Sequence, residues 1–348
     1  MEDERLDAAR GGDERAFREL IAPHQRELRA FCYRMSGSLA DADDLLQESL
    51  LRAWRGLKTF EGRSSLRTWL YRVTWSACVH VLEARPRRAL LVDRGGPADP
   101  RDPMPPPVDD WIGPCPPSLY DAAASEGSPA VRYSSRESVA LAFLAALQLL
   151  PPRQRAILIA RDVLGWSAEE CASGFETTVA SVTSALQRAR ETIDERAARW
   201  RPKLPDDETT RSLLARYIAA WEGADSTALA ALLHEDAAFS MPPLPIWLLG
   251  PRAISESVEL MVFASDGPDA FRFVPTEANG LPALAAYRRG PDGRFGAASL
   301  HAFAIRSDRI AEITVFLDPT LVTSFGLPSE LSATTATAAT PHTPALEK

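Results

Sequence analysis

Along the first 90 residues the apolar positions recur at three-and-four spacing, which predicts helices. Leu6, Phe17, Leu20, Ile21, Leu28 and Phe31 mark a helix over 5–35, broken at Gly37 between Ser36 and Ser38. Ala42, Leu45, Leu46, Ser49, Leu50 and Ala53 form one stripe of the next helix, which ends near Trp54 to Gly56. Asp41, Asp44 and Glu48 fall on another face of it, too acidic to be core. A Gly/Ser loop from Phe60 to Ser65 follows. Ser64 or Ser65 can cap a third helix that begins at Leu66. Its buried stripe is Leu66, Trp69, Leu70, Val73 and Ala77, with Arg67, Tyr71 and Thr74 projecting elsewhere.

From Ala89 to Tyr133 the pattern vanishes. Pro97, Pro100, Pro103, Pro105 to Pro107, Pro114, Pro116, Pro117 and Pro129 forbid helix over most of this stretch, which reads as an extended linker. Trp111, Ile112 and Tyr120 are unusual there; they either dock on a domain or stand exposed. Residues 135–200 are helical again, stopped once by Pro151-Pro152 and once by Gly165. Ser167 caps a short helix over Ala168 to Ala172, and Thr177 caps a long one reaching about Trp200. In the long helix Val179, Val182, Leu186, Ala189 and Ile193 face inward. A short helix, a tight turn and a long helix with a small-polar and basic outer face make a helix-turn-helix pattern. Many such pairs bind no DNA, so the pattern alone leaves both readings open. Residues 205–328 change in kind: two amphipathic helices, then β-rich runs broken by Pro and Gly, an α+β arrangement. The tail 329–348 is Ala/Thr/Pro-rich and reads as disordered.

Charge sharpens this division. The whole chain carries −8, but residues 52–90 carry nine Lys/Arg against two Asp/Glu, while residues 1–51 carry seven against twelve. Residues 205–348 alone sum to −8. An acidic helix followed directly by a basic, aromatic-rich one implies two partners, a basic protein surface and a polyanion such as nucleic acid. Cys32, Cys78, Cys115 and Cys171 show no paired spacing, which argues against a disulfide framework or zinc site and fits a reducing cytoplasm. The charged N-terminus reads as no signal peptide, and no apolar run approaches a membrane span.

Two segments resemble the extracytoplasmic-function sigma factors of bacterial RNA polymerase. Asp41 to Glu48 together with Phe60 to Arg72 resembles region two. Leu150-Pro151-Pro152-Arg153-Gln154-Arg155, with Leu164 to Ser167 and Ala185 to Arg190, resembles region four. Met241-Pro242-Pro243, Ala278-Asn279-Gly280 and Ile310 to Asp318-Pro319 resemble the SnoaL-like branch of the nuclear-transport-factor-two-like fold. The resemblance implies a multidomain chain: region 2 at 5–88, a linker at 89–134, region 4 at 135–201, and a SnoaL-like domain at 205–328. That last domain would be an α+β cone with a curved antiparallel sheet.

It also implies roles. Asp41, Asp44, Gln47 and Glu48 would bind core polymerase. Arg63, Arg67, Tyr71, Arg72 and Trp75 would hold the opened minus-ten strand, since unpaired bases need aromatic faces and their phosphates need cations. Trp75 is alternatively a core aromatic. Thr178, Ser181, Thr183, Ser184, Gln187 and Arg188 would read the minus-thirty-five duplex, Arg and Gln reaching base edges and Ser and Thr holding phosphates. Ser76 stands where relatives usually have Asn, and His80 where Asp is common. Gly174 stands where an apolar residue is usual, which implies a loosened turn.

The C-terminal domain is open to more than one reading. Trp221, Phe239, Met241, Trp247, Tyr287 and His301 either line a pocket for a small-molecule ligand or form simple core. His234, Asp236, His301 and Asp318 are the acid–base candidates, and no motif fixes a catalytic pair. The chain therefore reads as a sigma factor with a fused regulatory domain, without cofactor or metal. A helix-turn-helix regulator would not need the acidic docking helix. An enzyme with a DNA-binding appendage lacks its catalytic pair.

Overall fold

The computed structural model describes residues 2–62, 64–93, 95–120, 140–197 and 206–332. They form two compact units: residues 1–89 with 112–200, and residues 90–111 with 201–348.

In the first unit the single helix expected over 5–35 is two. α1 (Glu2–Arg10) and α2 (Glu14–Ser36) part at Gly11-Gly12, where Gly12 has φ 99°. The Asp13 carboxylate accepts the N–H groups of Arg15 and Ala16 and so starts α2. Gly37, at φ 73°, ends α2 with the left-handed turn that favours glycine. Ser38 caps α3 (Leu39–Gly56), and Ser65 rather than Ser64 caps α4 (Leu66–Leu82). Four helices follow the linker: α5 (Leu141–Leu149), α6 (Pro152–Leu158, continued by one π turn), α7 (Ala168–Gly174) and α8 (Val179–Ala197). Ser167 and Glu170 close a reciprocal capping box at the start of α7. Thr178, not Thr177, caps α8: its Oγ1 accepts the Ser181 N–H at 3.1 Å.

Two features lock α5–α8 onto the earlier helices. Arg155 of α6 is buried and donates to the Met35 carbonyl at the end of α2, to Gln148 Oε1 at 2.6 Å and to the Leu150 carbonyl at 3.1 Å. It satisfies carbonyls that a helix end leaves without partners. Burial pulls its guanidinium down to about 10, so it stays charged at neutral pH. The second feature is Gly174. A Cβ there would lie 2.8 Å from Trp166 Cζ3, so glycine seats the indole against the helix backbone. The residue tightens the turn, contrary to the loosening expected.

The second unit packs α9 (Asp207–Glu222), α10 (Ser226–Ala231) and α11 (Gly250–Val258) on a sheet ordered β2-β1-β6-β5-β4-β3. The strands are β1 (Leu233–Ser240), β2 (Trp247–Leu249), β3 (Phe271–Ala278), β4 (Leu281–Arg289), β5 (Phe295–Arg306) and β6 (Arg309–Phe316). The sheet is mixed, not wholly antiparallel: β1 runs parallel to β6. The chain returns from β1 to β6 only after α11 and four other strands, and parallel neighbours need such a long crossover. Leu213, Tyr217 and Trp221 of α9 bury against Phe273, Leu284, Phe303 and Ile313. Glu330-Leu331, inside the expected tail, forms β7 on β5. Residues 333–348 lie outside the described residues.

The linker is divided between the units. Trp111 packs on Phe316 with ring centroids 5.6 Å apart. Ile112 and Tyr120 are buried, and the Gly113 carbonyl accepts the Tyr33 hydroxyl at 2.7 Å.

His301 sits in the second core, bonded through Nδ1 to Tyr217 Oη and through Nε2 to Ser299 Oγ, each at 2.9 Å. Burial pushes its pKa down from 6.5 to about 3. The unfolded chain therefore takes a proton that the native ring refuses, so this histidine weakens the fold as pH falls from about 6.5 toward 3. Glu312 on β6 is shifted up, by burial first and by Asp93 in addition, so it weakens the fold as pH rises. Comparing His301→Gln with the native chain separates the two. Urea midpoints should show the native chain losing on the order of 1 kcal/mol more per pH unit below pH 6.

Candidate nucleic-acid and polymerase interface

The acidic residues of α3 do not act as one group. Asp41 is largely buried and bridges Arg85 and Arg88, each at 2.7 Å. It braces the chain that leaves α4. Asp43 pairs with Arg29. Asp44 and Gln47 are exposed and have no intramolecular polar partner among the described residues. Glu48 accepts Arg52 Nε at 2.7 Å, and that hydrogen bond holds its carboxyl below the usual range. Leu51, 45% exposed, extends this face one turn further. The sequence held one signal for it, an apolar residue one position off the buried stripe. The face therefore offers two carboxylates, an amide and an apolar side chain, which suits a basic helical surface.

The described side chains nominated for the opened strand are engaged by protein partners, and Tyr71 is fully buried. Arg67 makes a two-pronged ion pair with Glu27 (2.7–3.0 Å) and lies 5.2 Å over the Tyr71 ring. Burial raises the Glu27 carboxyl, but hydrogen bonds from His24 and Arg67 outweigh it and hold it low. Tyr71 is buried, with its ring edge-on to Trp166 at 5.3 Å. Burial raises its hydroxyl. Trp75 packs on Phe175 at 5.0 Å, and its indole N–H is buried without a partner. Arg72 pairs with Glu176 at 3.2 Å. Glu176 adopts φ 51°, a conformation non-glycine residues enter at a cost of about 1 kcal/mol. Ser76 and His80 stay exposed on the same side of α4 as Arg72. In this conformation the Tyr71 ring is closed to a base, and Trp75 rests on Phe175. Arg63 lies outside the described residues.

On α8, Thr178, Ser181, Thr183, Ser184, Gln187 and Arg188 are all exposed on one continuous surface. Val182, Ala185, Leu186, Ala189 and Ile193 are buried behind them. Val179, expected to face inward, is 41% exposed. Gln187 donates to Glu191 at 3.1 Å, and Arg190 is taken by Asp162.

The nominated pocket residues do not converge. Trp221, Phe239 and Met241 belong to the apolar core, with His301 edge-on to Trp221. Tyr287 lies outside that core and donates to the Pro328 carbonyl. Trp247 donates its indole N–H to the Gly95 carbonyl. His234, one of the acid–base candidates, lies on β1 and pairs with Asp236. A surface hollow of about 780 Å³ near Asp266, Arg288, Asp292 and Arg294 contains none of the six. No described helix is long and apolar enough to cross a membrane.

The chain thus joins a helical unit, with a helix-turn-helix and an acidic face on α3, to an α+β unit. The profile of Sigma-70 region 2 matches residues 20–88, and that of Sigma-70, region 4 matches residues 140–193. The ECF RNA polymerase sigma factor SigG of Mycobacterium tuberculosis is 43% identical over 316 residues, covering 89% of this chain and 83% of that protein. The RNA polymerase sigma-H factor of Pseudomonas aeruginosa is 30% identical over 191 residues, 53% of this chain and 87% of that protein. The solved extracytoplasmic function sigma factor SigJ of Mycobacterium tuberculosis shares the fold, with TM-score 0.53 at 22% identity over 87% of this chain and 97% of that one. The chain belongs to the extracytoplasmic-function sigma factors: it binds core RNA polymerase and directs transcription initiation at promoters, and it carries a fused C-terminal α+β domain.

Charge reversal separates the roles on α3. Asp44→Lys with Glu48→Lys should weaken core polymerase binding at least about ten-fold in a titration, as rejected like charges do. Asp41→Asn should leave that affinity alone and lower the urea midpoint by about 1–2 kcal/mol instead.

Proposed function

We propose that this sigma factor rests in a form that can dock on polymerase but cannot yet hold an opened strand. The observation that carries the reading is the contrast between the two faces of region 2. Asp44, Gln47 and Glu48 stand open on α3, whereas Tyr71, Arg72 and Trp75 of α4 are occupied by Trp166, Glu176 and Phe175 of region 4. Docking comes first, then separation of region 4 from α4. That separation exposes the strand-binding side chains and sends α8 to the upstream duplex.

The fused domain regulates this step by holding half of the linker. Residues 90–111 belong to the C-terminal unit. Ala98 N–H bonds the Trp247 carbonyl and Val108 N–H the Pro243 carbonyl, each at 2.8 Å, and Arg101 pairs with Glu256. Regions 2 and 4 therefore share a connection that is fixed at its first half. A small ligand on this domain would act by loosening or tightening that grip.

Run-off transcription with purified core polymerase tests the proposal. Trp111→Ala combined with Trp247→Phe removes a ring contact and one hydrogen bond from the linker. Output should rise about five-fold, the equivalent of roughly 1 kcal/mol of lost restraint. Unchanged output in this variant and in a chain ending at Pro205 would contradict regulation by the fused domain.

A further inference from the structure

We propose that Val179, with Ala180 and Thr183, reads thymine methyl groups in the upstream promoter duplex; this rests on α8 being the DNA-reading helix. The first residues of a recognition helix are those that enter the major groove. In α8 few of these residues hold a donor aimed outward. The Thr178 oxygen accepts the Ser181 N–H as the helix cap, which turns that side chain back onto the helix. The Thr183 hydroxyl donates to the Val179 carbonyl at 2.9 Å, which leaves its methyl as what it offers outward. Ala180 is exposed and has only a methyl.

Val179 is one of six large apolar side chains left strongly exposed among the described residues. Thr183, four residues after Val179 and three after Ala180, is the helix-surface neighbour of both and joins them into one face. The result is a methyl-bearing patch at the leading turn. Gln187, one turn beyond Thr183, is engaged with Glu191, so polar reading falls to Ser181, Ser184 and Arg188. In the major groove the chemical group that matches a methyl patch is the C5-methyl of thymine, which cytosine lacks. The leading turn thus selects A·T pairs by apolar contact, and the following turns supply phosphate and polar contacts.

The full chain bound to core polymerase first selects duplexes from a library randomised upstream of the start site. Each thymine of the selected upstream element is then replaced singly by deoxyuridine, which removes only the methyl. The proposal predicts one or two positions where the native protein binds deoxyuridine about four-fold more weakly. Val179→Ala and the near-isosteric Val179→Thr should both erase most of that difference while melting like the native chain. Arg188→Ala is the control, and should weaken binding to all sequences about equally. If Arg188→Ala weakens binding but no methyl removal matters, Val179 is not a reader and the proposal fails while α8 keeps its role. If Arg188→Ala has no effect either, the reading of α8 itself falls.

Discussion

The contact between α4 and the turn that opens the helix-turn-helix governs the rest of the first unit. Tyr71 meets Trp166 edge-on, and Trp75 packs on Phe175, two aromatic pairs each contributing about 0.5–1.5 kcal/mol beyond their area. Gly174 makes the seam, because any side chain there would push Trp166 away. The Arg72–Glu176 pair at the rim adds less, since an exposed ion pair contributes roughly 0–1 kcal/mol. Arg155, buried under the end of α2, fixes where region 4 begins. A seam of a few kcal/mol holds the free protein closed, yet it is small beside the binding energy of a tight protein complex. Docking on polymerase can therefore drive it open.

The second unit has its own core and includes the first half of the linker. Residues 90–111, which lead out of region 2, belong to this acidic unit. His301, the group most suggestive of chemistry, is bonded at both ring nitrogens and kept neutral by burial. A general acid–base needs a pKa near the working pH, and this ring lies far below it.

Much of this was legible in the sequence because local rules decide it. Gly37, Ser65 and Ser167 mark helix ends by backbone chemistry that needs no distant partner, and the three-and-four spacing located the buried stripe of α3. The remainder depended on residues far away in sequence. Tyr71 and Thr74 look like an outer face of α4, yet Tyr71 is buried beneath Trp166, 95 positions later. Asp41 reads as part of an acidic patch until Arg85 and Arg88 fold back onto it. Gly174 reads as a weak point because the indole that fills its space is invisible in a one-dimensional pattern. The parallel pairing of β1 with β6 and the splitting of the linker at Trp111 are likewise topological facts with no local signature.

The closed seam is the central claim, and locking it is the most direct test. Arg72→Cys and Glu176→Cys place two thiols at the rim, and a short bis-maleimide can bridge them; the four native cysteines are buried. The bridged protein should bind core polymerase like the unbridged variant, because α3 is untouched, but should give no run-off transcript. Full transcription by the bridged protein would contradict the account.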